Sequence, residues 1–327
     1  RIYLGADGTL PGGFGYRLEA DFANSDVTLT DVYLTYDATK HLRLTLGQQK
    51  PFWGLEELTS DLFTSFMERT SFGNAFGFER RLGFSAAYNS GPILLQAGAF
   101  TDDAQALLDD AANGYSFDGR AVFMPQLAGG QFHLGGSVHY RKLNNTASSV
   151  SYGVRAFVHT SDTKFITTGS ISGVDSETGY GLELAYLRGP FHVAGETHWQ
   201  HVGRVGGLPE PTFFGGYAEV GYYLTGGDRR GYKGGVFDRT KPAHPLGKGG
   251  LGALELNLRY DYLDLVDAGI VGGTQNTYGV ALVWVPTDYT RFILNYGHVV
   301  YDRAAIHAGA LNSYAVDAVG MRAQFDF

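Results

Sequence analysis

Strict alternation of polar and apolar residues, repeated in segment after segment, is the feature that most limits what this chain can fold into. Between Tyr16 and Phe22, the side chains of Tyr16, Leu18, Ala20 and Phe22 share one face of an extended strand, and Arg17, Glu19 and Asp21 share the other. Leu254 to Tyr262 repeats the arrangement and ends in two tyrosines on the apolar face. Leu42, Leu44 and Leu46 oppose Arg43 and Thr45, and Leu134, Val138 and Tyr140 oppose His133, Ser137, His139 and Arg141. A sheet between lipid and water must change polarity at every residue in this way. A soluble sandwich also alternates, but it does not keep Leu, Val and Tyr apart from Arg, Asp, Glu and His in every strand. The fold class expected is therefore all-β, a transmembrane antiparallel β-barrel, with residues 1–327 as a single outer-membrane barrel domain.

Composition supports that class and narrows the rest. No window approaches the ~18 consecutive apolar residues of a membrane helix. Aromatic residues at 14% and 47 glycines suit interfacial girdles and Gly-rich turns. The absence of cysteine removes a disulfide framework and thiolate metal sites. A net charge of -8 excludes nucleic acid as a partner, because that partner needs a basic footprint. Arg1 falls inside a strand, so a signal peptide and further sequence are expected upstream.

Turn lengths orient the barrel, since short turns face the periplasm and longer loops face outward. Asn89 to Pro92, Arg188 to Pro190 and Pro286 to Asp288 are read as periplasmic turns, and Gln49 to Phe78, Thr101 to Gly114 and Asp302 to Asn312 as outer loops. Gly226 to Gly250, too long for a turn, falls on the periplasmic side and is expected to fold back into the lumen. Seventeen strands start near Arg1, Phe14, Thr28, Leu42, Arg81, Ile93, Tyr115, Gln131, Ser151, Lys164, Gly179, Phe191, Phe213, Ala253, Asn276, Arg291 and Tyr314. An odd number cannot close antiparallel, so the expectation is 18 with a strand before Arg1, or 16 with a hairpin near Lys164 miscounted. Barrels of ~16 to 18 strands leave an aqueous channel. In the last strand Ala315, Val319, Met321, Ala323, Phe325 and Phe327 are read on one face and Asp317, Arg322, Gln324 and Asp326 on the other. This resembles the C-terminal assembly signal of outer-membrane barrels.

Two long motifs carry a family resemblance. Gly47-Gln48-Gln49-Lys50-Pro51-Phe52-Trp53-Gly54-Leu55-Glu56-Glu57-Leu58-Thr59-Ser60 continues to Phe66-Met67-Glu68-Arg69 and Glu79-Arg80-Arg81-Leu82-Gly83. Leu224-Thr225-Gly226-Gly227-Asp228-Arg229-Arg230-Gly231-Tyr232-Lys233 is followed by Gly250 to Leu256 and Arg259-Tyr260. With Thr168-Gly169, the Glu183 strand and Tyr289 to Tyr296, these stretches resemble the phosphate- and polyphosphate-selective porins of bacterial outer membranes. That resemblance implies a homotrimer of roughly 16-stranded barrels, each with a pore narrowed by an infolded constriction loop. It also implies an N-terminal periplasmic segment before Arg1, able to contact the periplasm or cell wall.

An anion pore needs fixed positive charge at its narrowest point, where low-dielectric walls focus the field of a few cations. The resemblance places the first motif at the constriction, making Lys50, Arg69, Arg80 and Arg81 the leading pore-lining, anion-binding residues. The later motif adds Arg229, Arg230 and Lys233 near the periplasmic mouth, and Arg155 and Lys164 extend the basic track. Each also has a plainer reading, such as a Glu68-Arg69 ion pair that staples the loop. Sharply selective members of the family are lysine-rich where this chain has Ser60-Asp61-Leu62-Phe63-Thr64-Ser65. The lumen faces Arg17, Arg43, Arg120, Arg141, Arg259, Arg291 and Arg322 against Glu19, Asp21, Asp118, Glu183, Glu196, Glu255, Asp261 and Asp317. So nearly neutral a wall points to small anions such as phosphate with modest selectivity, or to general diffusion.

Asp102-Asp103 and Asp109-Asp110 could bridge divalent cations to lipopolysaccharide, although a solvated acidic loop is the plainer reading. His192, Glu196 and His198 share a strand face, as a metal site or general base would require, yet lumen histidines are commoner than ligands. No nucleophile motif or phosphate-cradling glycine loop occurs, so neither enzyme nor cofactor is expected. A barrel that chiefly anchors the envelope and an outer-membrane hydrolase are the competing readings.

Overall fold

The computed structural model describes residues 2–23, 27–106, 114–144 and 149–327. Fifteen long strands follow one another in chain order around one antiparallel sheet. They are β1 (Tyr3–Leu10), β2 (Phe14–Asp21), β3 (Thr28–Asp37), β4 (Leu42–Gln49), β5 (Arg81–Ser90), β6 (Ile93–Phe100), β7 (Tyr115–Phe123) and β8 (Gly130–Lys142). The rest are β9 (Val174–Arg188), β10 (Phe191–Arg204), β11 (Thr212–Tyr223), β12 (Ala253–Asp267), β13 (Ile270–Thr287), β14 (Thr290–Asp302) and β15 (Tyr314–Phe325). A stub, Gln126–Leu127, pairs with the start of β8 and brings the sheet to 16 strands. The two edge strands, β1 and β15, run in the same sense.

Alternation has the polarity of a membrane wall. Leu46, Phe84, Leu134, Leu182, Leu258 and Leu294 are exposed on the outside, while the intervening His133, Glu183, Arg259 and Asn295 are buried inside. Phe14, Tyr36, Tyr88, Phe123, Tyr222, Trp284 and Phe325 form an exposed belt at the short-turn end, and Tyr140, Tyr180, Tyr260, Tyr278 and Tyr296 stand nearer the other. No helix among the described residues is long and apolar enough to cross a membrane; the crossing is made by strands.

Above the outer tyrosines the polarity inverts. On β12, Leu263 and Leu265 are fully buried inside while Asp264 and Val266 point outward, and Val299 and Tyr301 of β14 also turn in. Past the lipid the outer face meets water, and the inner face packs on chain that has folded into the lumen.

That internal chain corrects the strand count. The strands expected near Ser151 and Lys164 are not in the wall: Gly153–Arg155 pairs with Lys164–Thr167, and Ser149–Val150 with Ile171–Ser172, as two separate ribbons. Their apolar residues Val154, Ile166 and Ile171 are buried with Leu263, Leu265 and Val299, so their alternation reflects an interior core. Asp317 is also reassigned. Its parity is that of Ala315 and Val319, so it lies on the outer face, where it accepts bonds from the Tyr296 hydroxyl and the His298 ring, both at 2.8 Å.

Connections of two to four residues join β1 to β2, β3 to β4, β5 to β6, β9 to β10 and β13 to β14 at one end. The long connections 50–80 and 303–313 lie at the other, as expected, as do the described ends of the connection from β6 to β7. Residues 224–252 leave β11 at the short-turn end and fold back inside, where the Gly235 carbonyl accepts from Arg120 at 2.8 Å and the Phe237 amide donates to Thr59 Oγ1 at 3.2 Å.

Candidate functional site

The loop between β4 and β5 crosses the lumen and is seated on the far wall by charged groups that the alternation places inside. It carries two short helices, α1 (Leu55–Leu58) and α2 (Ser71–Ala75). At the head of α1 the Glu196 carboxylate accepts the amides of Leu55 (2.8 Å) and Glu56 (2.7 Å), and the Tyr217 hydroxyl at 2.8 Å. Any side chain at Gly54 would put a Cβ 2.4 Å from that carboxylate, which accounts for the glycine after Trp53. Asp261 takes the Ser71 amide at 2.7 Å and its hydroxyl at 2.5 Å. Arg259 lies between Glu219 (2.6 Å) and Glu56 (2.7 Å) and stacks over Phe66. Arg291 and Arg322 donate to the carbonyls of Leu62 (2.8 Å), Asp61 (2.7 Å) and Met67 (3.1 Å).

Wall glycines form sockets for the loop's apolar side chains. A Cβ at Gly215 would lie 2.3 Å from Phe72, and one at Gly279 would lie 2.9 Å from Phe66. Gly215→Val is expected to displace Phe72 at a cost of about 1–3 kcal/mol. The predicted readout is a lower temperature for the folded-to-unfolded mobility shift on a gel.

Because the loop lies on β9 to β15, luminal groups there are mostly buried, whereas the charged groups of β2 to β4 are half-buried or exposed. A cluster of charges lies between these surfaces. Lys50 bonds Glu57 at 2.8 Å, and Arg69 reaches the other oxygen of Glu57 at 3.3 Å. Facing them, Arg80 bonds Asp31 at 2.7 Å and approaches Glu19 at 3.9 Å, while Arg17 bonds Glu19 at 2.6 Å and Asp31 at 3.4 Å. The fields of Arg69 and Arg80 both act on Lys50, which ties the two halves into one electrostatic unit. Four cations thus face three carboxylates.

Burial holds the Lys50 ammonium below the ordinary lysine range, against the pull of Glu57. Its charge is therefore lost, as pH rises, before that of an exposed lysine at ~10.4. The positive charge of this cluster should fall as pH rises toward about 10, and Lys50→Arg should remove that dependence in reversal-potential measurements.

The structure thus brings together three of the eight residues singled out from the sequence: Lys50, Arg69 and Arg80. Arg81 points into a separate cavity near the outer mouth. Arg155 belongs to the internal ribbon, bonded to His159 (3.0 Å) and Asp162 (3.4 Å). Arg230 is buried against Glu255 (3.5 Å), the Phe63 carbonyl (2.7 Å) and the Phe237 ring. Arg229 and Lys233 are exposed on the internal segment, and Lys164 is exposed on its ribbon. Arg69 pairs with Glu57 rather than Glu68, which pairs with His159 at 3.1 Å.

Asp102 is buried against Arg141 at 2.7 Å, and Asp109-Asp110 lie outside the described residues. His192 contacts Glu219 and Glu255, both at 3.4 Å, and His198 contacts Gln200 at 3.0 Å. No cluster of three or more metal-ligating side chains occurs among the described residues. Sequence reading missed Arg17, Glu19 and Asp31 as members of this cluster; the register of β2 against β3, which carries Arg17 opposite Tyr33, is what brings them together.

An apolar outer face between aromatic belts, a wet and charged lumen, and a loop folded across it define an outer-membrane porin. The chain belongs to the phosphate-selective porin O and P family, whose sequence profile matches residues 1–327. An uncharacterized protein of Caulobacter vibrioides is 47% identical over 336 residues, covering all of this chain and 67% of that protein. Porin O of Pseudomonas aeruginosa is 26% identical, covering 84% of this chain and 68% of its own length. Among solved structures, an anion-selective porin from Comamonas acidovorans superposes with a TM-score of 0.56 at 14% identity, covering 98% of this chain and 87% of that one. The trimer form of OmpT from Vibrio cholerae gives 0.57 at 12% identity, covering 99% and 89%. At such identities these two show the fold alone.

Proposed function

We propose that this porin passes small anions, phosphate among them, with a modest preference over cations and without strict phosphate specificity. The observation that carries this reading is the constriction, where Arg17, Lys50, Arg69 and Arg80 face Glu19, Asp31 and Glu57. A passing ion meets a small positive excess in a narrow, poorly screened zone, which lowers the barrier for anions. Each cation is already bound to a carboxylate, so the field is too weak to hold phosphate tightly. Membership of the phosphate-selective family and the barrel shared with the anion-selective Comamonas porin favour an anion over a cation. Assembly as a homotrimer belongs to the same proposal, supported by the trimer form of OmpT, whose barrel this chain resembles.

The test is the reversal potential of the purified protein in a planar bilayer under a salt gradient, with chloride and then phosphate as the anion. A modest anion potential in both, with no block of chloride current by phosphate, is the expected result. A potential near zero makes it a general diffusion pore, tight block by phosphate makes it a specific one, and absence of current removes the channel reading.

A further inference from the structure

Behind the constriction, toward the outer mouth, lies a cavity of about 220 Å³ that the constriction cluster does not use. Its lining combines aromatic surface from Trp53, Phe76 and Tyr152 with the charged groups Arg81, Arg141, Asp118 and Glu177, and with the exposed Glu79. Most of the buried charges are committed. Asp118 binds His139 at 2.7 Å and Ser116 at 2.8 Å. Arg141 spans Asp102 at 2.7 Å and Glu177 at 3.1 Å, and Glu177 also takes the Tyr152 hydroxyl and the Gln200 amide.

Arg81 is the exception among the buried charges. Its side chain is among the buried charges, with the residue 8% exposed, and among the described residues it makes neither hydrogen bond nor ion pair. The guanidinium lines the cavity and none of its nitrogens is sealed away from it without a partner, so it is open to an acceptor that enters there. A guanidinium presents a planar fork matched to a carboxylate. Asp118, Glu177, Asp102 and Glu79 oppose any incoming anion, a dianion twice as strongly as a monoanion, so a single carboxylate is the better fit. The wall opposite is aromatic: Trp53 stacks on His139 with ring centroids 3.8 Å apart and on Phe78 at 4.3 Å.

We propose that this cavity is a binding subsite for small organic monocarboxylates bearing an apolar or aromatic group, with the carboxylate on Arg81 and the apolar part against Trp53, Phe76 and Tyr152. The inference rests on the reading of the barrel as an anion-passing porin and names a class of solute that such a pore would hold on the way in. It assigns to the outer vestibule a selectivity distinct from that of the constriction.

Isothermal titration calorimetry on the detergent-solubilised protein tests the subsite without requiring conduction, so its failure is separable from failure of the channel reading. Benzoate, acetate and inorganic phosphate are the probes. Benzoate is expected to bind at least tenfold more tightly than either of the others. Arg81→Gln should weaken benzoate binding at least tenfold. Ser151→Trp, which fills the cavity from its rim and leaves Arg81 in place, should do the same, so the test survives if Arg81→Gln does not fold. Equal affinity for phosphate and benzoate, benzoate binding unchanged in a folded Arg81→Gln or Ser151→Trp protein, or no benzoate binding at all would overturn the proposal.

Discussion

Replacing Lys50 and Arg80 together by glutamate is expected to turn the pore from anion-preferring to cation-preferring. The parent constriction holds four cations and three carboxylates; the double variant holds two cations and five carboxylates. A unit charge about 4 Å from a permeating ion is worth roughly 1 kcal/mol in bulk water and about 4 kcal/mol at the effective dielectric near a protein surface. Changing four units of charge in one narrow zone therefore exceeds, even after screening, the roughly 1.4 kcal/mol that corresponds to a tenfold change. The chloride-to-potassium permeability ratio should fall by at least about tenfold, and the reversal potential should change sign. Should the sign stay the same in a folded, conducting variant, selectivity would have to be set somewhere other than this cluster. Lys233→Glu, on an exposed lysine of the internal segment, should leave the sign of the potential unaltered.

Glu196→Ala should release the head of the infolded loop. The amides of Leu55 and Glu56 and the Tyr217 hydroxyl lose their shared acceptor in a region closed to water. Each orphaned buried donor costs about 1–3 kcal/mol, so the seated loop loses roughly 3–9 kcal/mol in all. Single-channel conductance is expected to rise by at least about half, with added noise as the loop moves on the microsecond-to-millisecond scale. Trypsin should cut after Arg69 in the variant and spare the parent. Glu196→Gln, which keeps the shape and one good acceptor, should fall between the two. A variant with parental conductance and resistance to trypsin would show that Asp261, Glu219 and the wall arginines seat the loop without Glu196.

What the sequence disclosed and what it concealed divide along a physical line. The wall was readable because lipid and water impose their contrast on every consecutive pair of residues, so Leu254 to Tyr262 declares both its faces without reference to any other strand. The periplasmic turns and the inward return of residues 224–252 followed from the same parity. The ribbons at Ser149 to Ser172 alternate just as well, but their buried side is set by Leu263, Leu265 and Val299, residues that local pattern cannot connect to them. The charges of Glu196 and Asp261 were visible as lumen-facing, whereas their bonds to chain 140 to 190 residues away were not. One local signal was available: after Tyr262 the apolar side of β12 switches to the interior, which marks where the lumen stops being wet. Asp317 shows the cost of letting residue type override period, because strict counting from Ala315 would have put it outside.

The seating of the loop also bears on the order in which the molecule can be made. The passage is bounded by β2 to β4 and by the loop that follows them, all within the first quarter of the chain, whereas the groups that receive the loop range from Ser137 to Arg322. Contacts of such long sequence separation form late, because the entropy of closing large loops is lost before any bond rewards it. The loop can settle only when β10 to β15 have curled round to meet it. The last step of folding is then the narrowing of the channel, and the species just before it is a wall around a wider hole. Such an intermediate would leak across the membrane it has just entered, so the many hydrogen bonds and sockets that draw the loop home act as much on the time the hole stays open as on the stability of the finished barrel.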